Sequence, residues 1–176
     1  MNINKLPIPP AIAARLKDWR GYPIPFVQFI PSTYKTDKKV DFRVTDPIKK
    51  ARCVDERLCG ICGMALHPVV FFIGGEKSFK NQLYTDPAMH LNCARFAAKV
   101  CPFLVNKNFK MTPIDSVKSE DYEVISDPLS APYRPEKMFI VRADDYKKVK
   151  FQDKKSGQII QTDYIFAINV TVVEEF

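Results

Sequence analysis

The chain has 176 residues, 46% of them hydrophobic and 27% charged, with a formal net charge of +7. That balance fits one globular body with a buried interior and excludes an intrinsically disordered chain. No apolar run nears the roughly 20 residues of a membrane-spanning helix, which argues against a membrane role.

Residues 1–25 read as an extended arm. Its first ten residues carry one lysine and are broken by Pro7, Pro9 and Pro10, which is no secretory signal, so a reducing cytoplasm is the expected compartment. A short helix is predicted over residues 11–17, opened by Pro9 and Pro10 and closed by Gly21. Pro23 and Pro25 then force an extended path. Residues 26–30 read as a strand and residues 40–44 as its alternating partner, joined by a polar loop over 32–39. Asp46-Pro47 predicts a helix start, with Asp46 capping and Pro47 in the first turn, running to about Glu56.

Next come Cys59 and Cys62, spaced C-x2-C, and later His90 and Cys93, spaced H-x2-C. Zinc prefers tetrahedral thiolate and imidazole ligands, and a two-residue gap lets one turn aim both ligands of a pair at one point. Gly60 and Gly63 suit the knuckle turn this requires. Between the pairs, residues 69–73 read as a strand entering a Gly74-Gly75 turn, and residues 78–84 as its return. Asp86-Pro87 is expected to start a second helix, packed through Ala94, Phe96, Ala97, Ala98 and Val100 and ended by Cys101-Pro102. Knuckle, hairpin and ligand-bearing helix together are the layout of a treble-clef zinc finger.

The rest reads as irregular connection over 106–137, then strands at 138–142 and 147–151 and a turn at Ser156-Gly157. Ile160, Thr162, Tyr164, Phe166, Ile168, Val170 and Val172 share one parity, which predicts one long, half-buried antiparallel strand. The expected fold class is α+β, a treble-clef-like zinc unit followed by an antiparallel β-sheet. Three segments pack as one body: a Pro-rich arm, strand pair and helix (1–57), the zinc-binding unit (58–106) and a β-rich region (107–176).

Residues 6–104 resemble a zinc-finger-bearing protein family of bacteriophage and actinobacterial genomes. The stretches that carry the resemblance are GYPIPF at 21–26, DFR at 41–43 with Asp46-Pro47, CGICG at 59–63, DPAMHLNCA at 86–94 and CPFL at 101–104. It implies a phage-type or prophage-type zinc protein working in a bacterial host cytoplasm. Lysine-rich loops and a shorter, β-looking tail depart from the family pattern.

The expected cofactor is one structural Zn2+ on Cys59, Cys62, His90 and Cys93, because all four positions of the tetrahedron are filled and none is left for water. His67 is the only other histidine and is expected near the metal without ligating it; Cys53 and Cys101 read as core thiols. Catalysis is not expected. A zinc deaminase needs His-x-Glu before its C-x2-C, the reverse of the order here. A His-Asn-His-like nuclease needs a spare catalytic histidine, and His90 is spent on the metal. Gly74-Gly75-Glu76-Lys77-Ser78 lacks the first glycine of a phosphate loop, and no Ser-His-Asp set can be assembled.

Charge suggests the partner. Residues 1–57 carry twelve Lys/Arg against six Asp/Glu, residues 58–106 four against two, and residues 107–176 eleven against twelve. A basic first part points to an anion such as nucleic acid, with Lys77, Lys80, Arg95 and Lys99 around the zinc unit and Lys35, Lys38, Lys39, Lys49 and Lys50 before it. Asp37, Asp41 and Asp46 interleave with that second group, so ordinary solubility is the competing explanation. The leading expectation is thus a non-enzymatic accessory protein binding nucleic acid or a nucleic-acid-associated host protein. The alternative is a pure protein-interaction module, such as an inhibitor of a host defence or transcription complex.

Overall fold

A computed structural model describes residues 6–108, 133–150 and 164–176. Six helices and six strands follow one another along them as α1 (Pro10–Ala13), α2 (Tyr34–Asp37), α3 (Pro47–Asp55), β1 (Val70–Gly75), α4 (Glu76–Asn81), β2 (Leu83–Tyr84), α5 (Leu91–Val100), α6 (Pro102–Val105), β3 (Met138–Ala143), β4 (Asp145–Val149), β5 (Tyr164–Ile168) and β6 (Thr171–Glu175). The fold is α+β, as expected. No helix among the described residues is long and apolar enough to cross a membrane.

The arm is more turned than its sequence suggests. α1 stops after one turn because the chain doubles back: Ile24 N–H donates to Leu16 O and Asp18 N–H to Tyr22 O, around Gly21 at φ +86°. The strand pair expected over 26–30 and 40–44 shrinks to one bridge between Gln28 and Thr45. Its backbone has other partners: Phe26 and Val27 donate to Ile61 O and Gly60 O of the knuckle, and the buried Gln28 amide donates to the carbonyls of Asp41 and Val44. α3 begins as predicted, the Asp46 carboxylate accepting from the N–H groups of Ile48 (3.0 Å) and Lys49 (3.1 Å), a cap worth about 1 kcal/mol.

Two antiparallel three-stranded sheets follow, ordered β1-β3-β6 and β2-β5-β4. They share a bent ribbon. β4 pairs with β5 and β3 with β6, so the chain over 138–149 runs against that over 164–175, with the bend at Asp144 on one side and Asn169-Val170 on the other. Asn169 takes φ +54°, a left-handed conformation that asparagine tolerates better than most residues, and there the single long strand expected through Val172 breaks in two. The alternation fails as well. Ile165 and Ala167, of the parity taken as polar, are fully buried, and Tyr164 is buried on the opposite face. β5 is therefore covered on both sides. The Ser156-Gly157 turn, Ile160, Thr162 and most of the connection expected over 106–137 lie outside the described residues.

The return strand expected at 78–84 is α4 followed by the two-residue β2, which joins β5 rather than β1. Gly74 permits this: a β-carbon there would sit 2.6 Å from Ser78 Cβ and 2.8 Å from the Tyr84 ring, so only glycine lets the helix fold back over the strand end. Met89 completes the treble-clef hairpin instead, exchanging both backbone hydrogen bonds with Phe71 of β1. Because Met89 is used in a bridge to β1, α5 starts at Leu91 with His90 as its N-cap, not at Asp86-Pro87.

Side chains of β1 point alternately into two interiors. Val70 and Phe72 join Tyr84, Val141, Tyr146, Ile165 and Ala167 between the sheets. Phe71 and Ile73 pack on the other side against Ile12, Met89, Phe96, Ile140 and the cysteines of the knuckle. Arg134, only 6% exposed, ties the chain together. Its guanidinium donates to the carbonyls of Leu104 (2.7 Å), Pro135 (2.8 Å), Glu136 (3.0 Å) and Phe176 (2.9 Å), joining α6, the approach to β3 and the residue after β6.

Candidate metal centre

Two short pieces of chain bring the cysteines and the histidine together. The knuckle is closed by a bridge between Leu58 and Ala65, with Cys59 N–H donating to Met64 O and Gly63 N–H to Cys59 O. Gly60 N–H donates to Ala88 O, which fixes the knuckle beside the approach to α5. At that helix His90 is the N-cap and Cys93 the third residue inside, a spacing that puts both on one face.

Cys59, Cys62, His90 and Cys93 thus meet. One ligand atom from each lies within 4.8 Å of all the others. His90 Nδ1 is 3.5 Å from Cys62 Sγ and 3.9 Å from Cys93 Sγ. Zinc bonds of about 2.3 Å to sulfur and 2.0 Å to nitrogen, at tetrahedral angles, imply N···S separations of about 3.5 Å and S···S separations of about 3.8 Å. The cluster therefore has the dimensions for one metal ion such as zinc. The far nitrogen of the ring, Nε2, lies 3.0 Å from Ala65 O, so its N–H can donate there and leave Nδ1 unprotonated for the metal.

Electrostatics favour a cation. The three sulfurs share protons as one set. Hydrogen bonding from Cys59, then from Cys93, holds Cys62 well below the ordinary thiol range. The bond to Cys62 pushes Cys59 up, and the bond to Cys59 pushes Cys93 up. Protons thus allow only part of the cluster to ionise, whereas a divalent ion would favour all three thiolates together. Cys59 is wholly buried, and Cys62 and Cys93 are 5% and 3% exposed, so an unpaired charge there would be costly.

Residues distant in sequence act on this cluster without any spacing that announces them. Arg15 lies close enough for the Cys62 charge to act on its guanidinium, although burial, the larger effect, lowers its pKa. It donates to Ile24 O (3.2 Å) and stands 5.4 Å from the Phe26 ring, which packs on Gly63. Only the wrapping of the arm around the knuckle brings Arg15 there, and no local spacing encodes that.

The other residues singled out divide cleanly. His67 sets its ring edge against that of His90, centroids 5.5 Å apart, outside the four-ligand group. Cys53 is buried in α3 and its thiol is pushed up to about 12, chiefly by burial; burial likewise raises that of Cys101 at the end of α5. Lys77 and Lys80 are exposed on α4. Lys99 is exposed on α5, where Arg95 pairs with Glu174 of β6. Lys49 is held by Asp46 and donates to Gln28 O (2.8 Å). Lys50 is half-buried on the same helix, while Lys35, Lys38 and Lys39 are exposed in and after α2.

No family model, curated protein or solved structure matches this chain.

Proposed function

We propose that this protein is a non-enzymatic binding module, built around one structural Zn2+ and directed at nucleic acid. The observation that carries the reading is the closed cluster: Cys59, Cys62, His90 and Cys93 fill a tetrahedron and leave no position for a reacting water. A divalent ion on three thiolates leaves one net negative charge, and the Cys62 charge acts favourably on the Arg15 guanidinium. Exposed Lys77 and Lys80 on α4 and Lys99 on α5 support an anionic partner. A phage-type accessory role in a bacterial cytoplasm extends the family resemblance of residues 6–104.

One observation favours the protein-interaction reading. Among the described residues β6 is an edge strand, and Val172 and Val173 on it are 40% and 38% exposed, as in a strand open to pairing with another chain.

Metal analysis and salt-dependent binding test the two halves of the proposal. The purified protein is expected to carry close to one zinc per chain, and Cys59→Ser to lose it together with the fold. Affinity for labelled DNA or RNA is expected to fall steeply as salt rises. A metal-free protein that keeps its stability in chelator would overturn the structural role. Absence of binding to any nucleic acid at low salt would overturn the partner.

A further inference from the structure

Away from the metal, the arm carries an exposed aromatic surface set in positive charge. Trp19, the only tryptophan of the chain, is 65% exposed, and Phe42 beside it is 37% exposed. A large indole left in water costs free energy unless something covers it in use.

The indole is held ready. Asp18, whose side chain is fully buried, accepts from the backbone N–H of Arg20 and of Tyr22 (2.9 Å each) and from Arg20 Nε (2.7 Å). Those bonds fix the Arg20 guanidinium among three rings, 5.8 Å from the centroid of Trp19, 5.2 Å from Tyr22 and 5.5 Å from Phe42. With its charge matched by Asp18, Arg20 is a brace for the rings rather than a phosphate ligand. The backbone N–H of Trp19 donates to Lys38 O (3.0 Å) and the Tyr34 hydroxyl to Lys17 O (2.8 Å), so the α2 segment is fastened to the stretch of chain that carries the indole. Exposed Lys17, Lys35, Lys38 and Lys39 are thus carried on the two segments that these bonds join.

Charge complementarity names the occupant. Residues 15–43 carry seven basic against three acidic residues, and two of those acids, Asp18 and Asp41, are paired with Arg20 and Arg43. An apolar protein surface would not call for these lysines. A base with a phosphate on either side matches both halves of the patch, and a single strand exposes base faces that a duplex stacks away.

We infer that Trp19 is a stacking platform for a base of single-stranded nucleic acid, with the lysines of the α2 segment taking the adjacent phosphates. This deepens the nucleic-acid reading and rests on it.

Trp19 also reports on the event, because all tryptophan fluorescence comes from it. Titrating the full-length protein with a short oligothymidylate should quench that fluorescence and shift it. A duplex of equal length and polyglutamate, which offers charge without bases, should leave it nearly unchanged. Trp19→Ala should weaken oligothymidylate binding about 5- to 100-fold, and Trp19→Phe should restore most of it. Lys35→Gln with Lys39→Gln should lower the slope of log affinity on log salt by about 0.7 per lysine. Thermal unfolding of each variant, expected to match that of the unsubstituted protein at these exposed positions, separates lost binding from lost fold.

Oligothymidylate binding that leaves the indole silent and survives Trp19→Ala overturns the platform and leaves the nucleic-acid reading standing. Equal quenching by polyglutamate also overturns it, making the patch a site for acidic polypeptide. Failure of single- and double-stranded nucleic acid alike overturns both.

Discussion

Gly63 holds φ at +78°, and a β-carbon placed on it would lie 2.7 Å from the Phe26 ring. Backbone and packing thus forbid a side chain at this point of the knuckle together. Gly63→Ala is expected to cost about 1–3 kcal/mol in urea unfolding of the metal-loaded protein and to speed metal loss to a chelator. A change below about 0.5 kcal/mol would mean that Phe26 yields freely. The need for glycine here was legible in the sequence, since CGICG places both ligands and turn within five residues. Phe26 was not, because it reaches the knuckle through its own backbone bond to Ile61 and that of Val27 to Gly60, which no repeat or spacing announces. The same holds for Arg15, which is nearly fifty residues from the sulfur it stands beside. Trp19 is silent in the sequence for another reason: a single aromatic near prolines has no periodicity, and only its exposure makes it notable.

At the scale of elements, the signals that held were local and chemical. Asp46-Pro47 capped α3 where expected, and β1 and β3 fell where β-branched and aromatic residues cluster, whereas β4 runs over Asp145–Val149, two residues ahead of the strand expected at 147–151. Those that failed were periodic patterns read without partners. An alternating run cannot tell one long strand from two strands bent at Asn169, since the polar residue of the bend keeps the parity. The bent ribbon leaves its ends to be tied down elsewhere, and Arg134 does this with four bonds to backbone carbonyls. Its planar fork suits that task, and lysine, a point charge on a flexible stem, cannot reach the same set. Arg134→Lys should therefore destabilise the protein by about 2–4 kcal/mol in denaturant unfolding, by stranding buried carbonyls. Full stability in the lysine variant would show that charge alone suffices.

For the whole molecule, the arrangement around β1 and β3 matters most. Ile140 belongs to the interior that holds the cysteines, and Val141, the next residue, to the one between the sheets. Neither interior can loosen without disturbing a strand that also lines the other. Stripping the metal is accordingly expected to abolish both together: hydrogen exchange at Ile165 and Ala167, far along the second sheet, should lose protection at the same chelator concentration as exchange at Ile140. Persistent protection of β5 after metal removal would show that the sheets stand alone. A strand with one side facing water normally leaves evolution a lenient side on which to drift. Val70, Phe71, Phe72 and Ile73 have no such side, so shortening any one of them opens a gap in one interior or the other.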